Sequence, residues 1–255
     1  MTWAPGELAP RPAAAPAGRM LAAQTRAELT LMLRNGEQVL LTLVIPLGLL
    51  VVLTEIPFVR VSGSRVGFFV PGVIALAIMS AAFTGQAIAV GFERQYGVLQ
   101  RLGATPLPRS VLLAAKTLAV LAVELLQVVL VAVVGAALGW RPHGSAVTVL
   151  VLVVLGTAAF SGLGLLLGGT LRGLTSLAAA NLLWFVLLIL GGVLFPLSEF
   201  GSAAPVLRCL PTAALSDGLR QVLQHGAGLP VRDLLALAGW AAGGLTLASR
   251  LFRWE

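Results

Sequence analysis

The densest group of chemically able side chains in the sequence is Glu93-Arg94-Gln95-Tyr96-Gly97, followed by Leu99, Arg101, Leu102, Thr105 and Pro106. An acid, two bases, two amides (Gln95 and Gln100) and a phenol at close spacing suit ion pairing and hydrogen bonding with another protein. They do not make a catalytic centre. A second group consists of single polar residues inside apolar runs: Gln86, Glu124, Gln127 and Asn181. Polar groups in such surroundings are costly, so each is a functional suspect. Gln127 falls three residues after Glu124, on the same helical face. Glu124 reads either as a proton or substrate contact or, the plainer choice, as a carboxyl bonded to a neighbouring helix.

The usual catalytic and metal-holding patterns are missing. There is no G-x-x-x-x-G-K-[ST], and Ala114-Ala115 precede Lys116, the only lysine, so no phosphate-cradling loop of that kind is expected. There is no H-E-x-x-H and no G-x-S-x-G. Asp217 and Asp233 are the only aspartates, too few for a magnesium cluster. His143 and His225 stand alone, and Cys209 is the sole cysteine. The expectation is a chain with no catalytic residue, no metal and no cofactor of its own.

The elements that carry these residues follow from composition. Apolar residues make up 58% of the chain, charged residues 11%, and the mean hydropathy is +0.97. A soluble domain carries about 25% charged residues, so lipid is the solvent for most of this chain. Disorder, a disulfide scaffold and a soluble nucleic-acid binder are excluded, despite the net charge of +7. A crossing helix needs about 20 apolar residues. Six stretches qualify: 38–57, 66–91, 110–138, 146–169, 174–195 and 233–250. None alternates as a barrel strand does. The expected fold class is all-α, a polytopic membrane protein whose six-span domain covers residues 37–251. Pro46 and Pro71 should kink the first two spans. Gly164/Gly168 and Gly239/Gly243 are small residues four apart, a spacing that permits close helix contact.

Arginines set the orientation. With both termini inside, inner segments hold Arg11, Arg19, Arg26, Arg34, Arg94, Arg101, Arg109, Arg172, Arg250 and Arg253; outer segments hold Arg60, Arg65, Arg141, Arg208, Arg220 and Arg232. That balance favours cytoplasmic termini. Lys116, within the third span, is expected to snorkel to the inner interface. The arginine-rich, Ala/Gly/Leu-heavy composition suits a G+C-rich bacterial genome, and so a bacterial plasma (inner) membrane.

Three segments are not spans. Residues 1–18, rich in Ala and Pro without an apolar core, read as a disordered cytoplasmic tail rather than a signal peptide. Residues 19–36 read as an amphipathic interfacial helix, with Arg19, Arg26 and Arg34 within an arc of about 80°. It either anchors to lipid only or also touches a cytosolic partner. The link 93–106 reads as a short helix ended by Gly103, Pro106 and Pro108. By composition alone the plainer reading is a connection whose charges fix topology; the sharper one is a lever on a soluble partner. The outer segment 196–232 is too long for a simple connection and reads as short helices re-entering the outer leaflet. They either cap the bundle, or gate an exit or touch lipid-like cargo.

Taken together, the sequence resembles the permease subunit of type-2 ATP-binding-cassette (ABC) exporters, the drug-resistance and lipid or polymer export group. The likeness covers nearly the whole chain. Its sharpest part is Glu93-Arg94-Gln95-Tyr96-Gly97-Val98-Leu99 with Leu102 and Thr105-Pro106-Leu107, similar to the family's E-R-E-x-G-T-x-E-x-L-x-x-T-P. Gln95 and Gln100 stand where acids are common, and Val98 where Thr is common. Pro211 to Arg220 is similar to a stretch of the family's outer segment. The resemblance implies that 93–106 is the coupling helix, seated in a groove of a separate ABC ATPase that holds ATP and Mg2+. It also implies a second permease chain, identical or related, with membrane lipid around both and no nucleic acid. It implies a path between the two permeases to which spans one, two and five contribute; Phe83, Gln86, Asn181 and Phe185 are the candidates to line it. The expected function is outward movement of an amphipathic or lipophilic substrate, a drug, lipid or glycolipid-like molecule, with multidrug efflux and antibiotic resistance as the associated activities. The alternative is an ATP-independent secondary transporter or membrane assembly factor, in which Glu124 would matter more. An intramembrane enzyme is a third class, without candidate machinery.

Overall fold

The computed structural model describes residues 14–56, 61 and 63–252, and these are helical with no strand among them. Arg11, Arg60 and Arg253 lie outside the described residues, as does most of the expected tail; of its remainder, Ala17 and Gly18 already belong to the first helix. That helix, α1, spans Ala17–Arg34. Next come α2, Gly36–Glu55, and α3, Arg65–Gln95, which includes a wide π turn at Met79–Gly85. A short α4 covers Val98–Gly103. The longer ones that follow are α5, Arg109–Ala137, α6, Ala146–Thr170, α7, Gly173–Leu190, α8, Pro211–Leu223, and α9, Val231–Leu251, with two short helical turns, Leu197–Ala203 and Ala204–Leu207, between α7 and α8.

Five of these, α3, α5, α6, α7 and α9, are long and apolar enough to cross a membrane, and α2 contributes a shorter apolar stretch, Thr42–Glu55. Two boundaries differ from expectation for clear reasons. The second crossing does not stop at residue 91 but runs to Gln95, because Glu93 and Arg94 find partners within the bundle and need not face water. The fifth stops at Leu190 rather than 195: Gly192 takes a φ of +70°, which only glycine adopts cheaply, and the chain turns out of the helix.

The core lies around α3, whose first half is buried on all sides. It packs on α2, α5, α6 and α8. Two glycines on α6 let it approach α3 closely. A side chain at Gly164 would meet the Phe83 and Ala82 carbonyls at 2.6 and 2.7 Å, and one at Gly168 the Ala87 carbonyl at 2.6 Å. Backbone therefore lies on backbone where the π turn opens. The pair Gly239/Gly243 does not act in this way: nothing stands within 4 Å of either, and α9 instead meets α6 through Gly244 against Gly162.

Polar contacts assign each helix end to one end of the bundle. Arg94 Nη1 donates to the Gly169 carbonyl at 3.1 Å, and Arg109 Nη1 to the Phe252 carbonyl at 3.2 Å. These gather the ends of α3, α6 and α9 with α4 and the start of α5. At the opposite end the His143 amide donates to the Leu223 carbonyl (3.0 Å), Gln221 to Asp233 (2.8 Å), and Arg65 to the Leu53 and Thr54 carbonyls (2.6 and 3.0 Å).

Candidate functional site

The residues linking α3 to α5 fall into two sets with opposite environments. Glu93, Arg94 and Leu99 turn inward. Lys116 on α5 donates to Glu93 Oε1 at 2.8 Å and to Glu28 Oε2 on α1 at 3.0 Å, and Gln24 closes the cluster by donating to Glu28 Oε1 at 2.8 Å. Lys116 is 5% exposed: two carboxylates at bonding distance, one of them on α1, hold its ammonium inside the bundle. Arg94 is buried on the last carbonyls of α6, where a cation also meets the negative end of the helix dipole. Leu99 is fully buried with Val90, Leu112, Leu113, Leu165, Ala248 and Phe252, and Leu102 packs against the same cluster.

The second set faces out. Gln95, Tyr96, Val98, Gln100, Arg101, Thr105 and Pro106 are exposed, Tyr96 at 68%. The expected single helix over 93–106 is broken: α3 ends at Gln95, Gly97 turns the chain at a φ of +70°, and α4 starts at Val98. The turn puts Tyr96 at the tip, its ring stacked on Phe92 at 6.0 Å. Inward anchors and an outward face make this link a rigid knob.

Arg19, Arg26 and Arg34 are all exposed on α1. The opposite face packs on α5 rather than resting on lipid alone, and Glu28 is the reason. Glu28 was missed in the sequence. Its signal was legible: it is the only acid in α1 and falls opposite the three arginines.

Beside the Lys116 cluster lies a cavity of about 660 Å³ between α1, α2, α3, α5 and α7. Its wall is apolar, with Ile45, Leu49, Leu76, Val120, Trp184 and Leu188, and Glu28, Glu93 and Lys116 also line it. Of the residues proposed to line a path, Gln86, Asn181 and Phe185 meet on this wall; Phe83 does not, being buried in the core behind the π turn. Gln86 is held by bonds from Nε2 to the Lys116 carbonyl (3.3 Å) and Ser161 Oγ (3.1 Å). Gln127 also lines the cavity and donates to the Thr42 carbonyl at 2.7 Å. Trp184 donates to Ser80 Oγ at 2.9 Å.

Glu124 is off the cavity, fully buried between α5 and α6, where Thr157 donates to it. The outer helix α8 is also off the cavity. It is packed on α3, α6 and α9. Arg220 lies over the Phe68 ring at 3.9 Å and donates to the Phe68 and Val193 carbonyls at 3.3 and 3.2 Å. Burial lowers its pKa to about 10.

A bundle of crossing-length apolar helices, with a charged helix tied to one flank and a polar knob at one end, defines a polytopic all-α membrane protein. The family model described as ABC-2 type transporter matches residues 20–223, from α1 to the end of α8, and the chain belongs to that family. It is a multi-pass permease subunit of an ABC transporter, the transmembrane component and not the ATP-binding module, and its family implies a partner ATPase subunit. No curated protein matches the chain.

Proposed function

We propose that this permease is an exporter subunit, worked by a separate ABC ATPase that binds ATP and Mg2+ and grips the exposed face of the knob at Tyr96 and Arg101. The observation that carries the reading is the adjacency of knob and cavity. Glu93 is the last-turn residue of α3 that both ends at the knob and lines the cavity, and Lys116 ties it to α1. A push on Tyr96 would be delivered to the cavity wall through a helix end, without a flexible intermediary. A motor shifts an equilibrium only if its contacts differ between two states, and a rigid knob fixed to α3 and α4 meets that need.

The arginines support the orientation. The end with the knob carries Arg19, Arg26, Arg34, Arg94, Arg101, Arg109, Arg172 and Arg250; the other carries Arg65, Arg141, Arg208, Arg220 and Arg232. By the positive-inside rule the knob end is cytoplasmic, in a bacterial plasma membrane, with both termini inside. The cavity has exposed Ile45, Asn181 and Phe185 at its margin, and the flanks of α2 and α7 beside it are apolar and exposed. A second permease chain against those flanks would close the cavity into a path between two copies. The substrate class that suits it is an amphipathic or lipophilic molecule carried outward.

Purification from the native membrane tests the reading. The expected result is co-purification of a Walker-motif ATPase, with ATP-dependent uptake of an amphipathic substrate into inside-out vesicles. A reproducibly ATPase-free permease with flux driven by a proton gradient would overturn it. The position of Glu124 off the cavity speaks against that proton-coupled alternative.

A further inference from the structure

The polar groups on the cavity wall are unequal in kind. Gln86 and Gln127 each spend their amide N–H on a backbone carbonyl, which can only accept. This fixes both amides, and both Oε1 atoms are left without a partner, though the side chains are only 5% and 3% exposed. Glu93 uses Oε1 on Lys116, and its Oε2 has no partner. Thr84, also on the wall, has a free hydroxyl. The strongest donors are committed, the Lys116 ammonium to two carboxylates and the Trp184 indole to Ser80, while the Thr84 hydroxyl and the Asn181 amide can each donate or accept. Two carboxylates share one ammonium, so formal charge at this end of the cavity is negative.

An unmet buried acceptor costs free energy that a donor recovers. A ligand fitted to this wall brings N–H groups and positive charge. A carboxylate or phosphate would set its charge against Glu93 and two amide oxygens. A cavity of about 660 Å³ holds a drug-sized molecule.

We propose that the cavity takes an amphiphile bearing a protonated amine, with the ammonium on the free oxygen of Glu93, further N–H groups on Gln86 or Gln127, and the apolar body along Trp184 and Phe185. The assignment rests on the exporter reading and names its substrate class.

The test is binding to the purified full chain in phosphatidylcholine nanodiscs, corrected against empty discs. The probes are anthracene derivatives that share one alkyl arm and end in a primary ammonium, a hydroxyl or a carboxylate. The ammonium probe is expected to bind about tenfold more tightly than the hydroxyl probe, the size of one charge-assisted bond, and the carboxylate probe most weakly. Glu93→Gln should bring ammonium and hydroxyl probes level, while Glu124→Gln keeps the preference. If Glu93→Gln does not fold, the ranking in the native chain decides alone. Equal or reversed ranking, no binding beyond the empty discs, or a preference that survives Glu93→Gln would overturn the proposal. Adding phosphatidylethanolamine separates two sources of the amine: displacement of the probe assigns the site to a lipid amine, and no displacement to a soluble one, both within the proposal. Equal ranking in a chain that still co-purifies with its ATPase would sink the amine site alone; absence of the ATPase would sink the exporter reading instead.

Discussion

Lys116 is the shared counter-charge of two carboxylates from two other helices, so its removal leaves both without one. Breaking a buried pair by removing one partner costs about 3–5 kcal/mol. Lys116→Ala is therefore expected to lower the thermal midpoint of the purified protein sharply. The triple variant Glu28→Gln, Glu93→Gln, Lys116→Met removes every charge at once and should recover most of that loss. A triple variant no more stable than Lys116→Ala would show that packing, not charge, holds α1 to α5. Arg220→Met is a milder case. It keeps an apolar stem near Phe68 but leaves the Phe68 and Val193 carbonyls without their donors. A loss of about 1–3 kcal/mol is expected by chemical or thermal unfolding in detergent. Residue chemistry was unevenly legible in the sequence. Lys116 was visible as a charge within an apolar span and Glu93 as an acid of the polar link, but their pairing was not, because 23 residues separate them and only the α3–α5 packing brings them together. Glu28 could have been flagged by helical phase alone.

At the scale of elements, the coupling role proposed for the link between α3 and α5 requires that it be stiff. Leu99 plugs α4 into an apolar cluster shared by α3, α5, α6 and α9, so Leu99→Ala is expected to cost about 2–5 kcal/mol. Tyr96→Ala and Arg101→Glu touch only the exposed face and should leave the melting curve within about 0.5 kcal/mol of the parent while separating ATP hydrolysis from transport. Equal destabilisation by all three variants would contradict the division into anchors and outward face. The sequence pattern placed this link correctly between two crossings but read Glu93 and Leu99 as part of a surface. Helical spacing reports which residues share a face; it does not say whether the face meets water or another helix. The π turn was also hidden, since it answers to the approach of Gly164 and Gly168 on α6. Gly164→Leu would force α3 off α6 and is expected to abolish the monodisperse folded peak in size-exclusion chromatography, whereas Gly239→Leu, with open space around it, should not.

For the whole molecule, hydropathy and the arginine pattern were enough to read an all-α, multi-pass chain, because lipid imposes both span length and helical backbone. The cavity was not legible as a shape, although Gln86, Asn181 and Phe185, chosen as polar or aromatic residues on the second and fifth crossings, meet on its wall. Orientation gives a direct prediction. His143 is exposed and belongs to the end opposite the knob, whereas Cys209 lies against Trp240, midway along α9. In a Cys209→Ser background, an impermeant maleimide applied to intact cells should label His143→Cys, and should label Tyr96→Cys only after the membrane is opened. The claim on which the rest depends is that a cytoplasmic ATPase seats on the knob, and photo-crosslinking at Tyr96 tests it most directly. With a benzoyl-phenylalanine replacing Tyr96 in the native membrane, the account predicts a crosslink to a Walker-motif ATPase, and no such product when the same group replaces His143. A crosslink to that ATPase from position 143, or none from position 96 in a chain that transports normally, would contradict it.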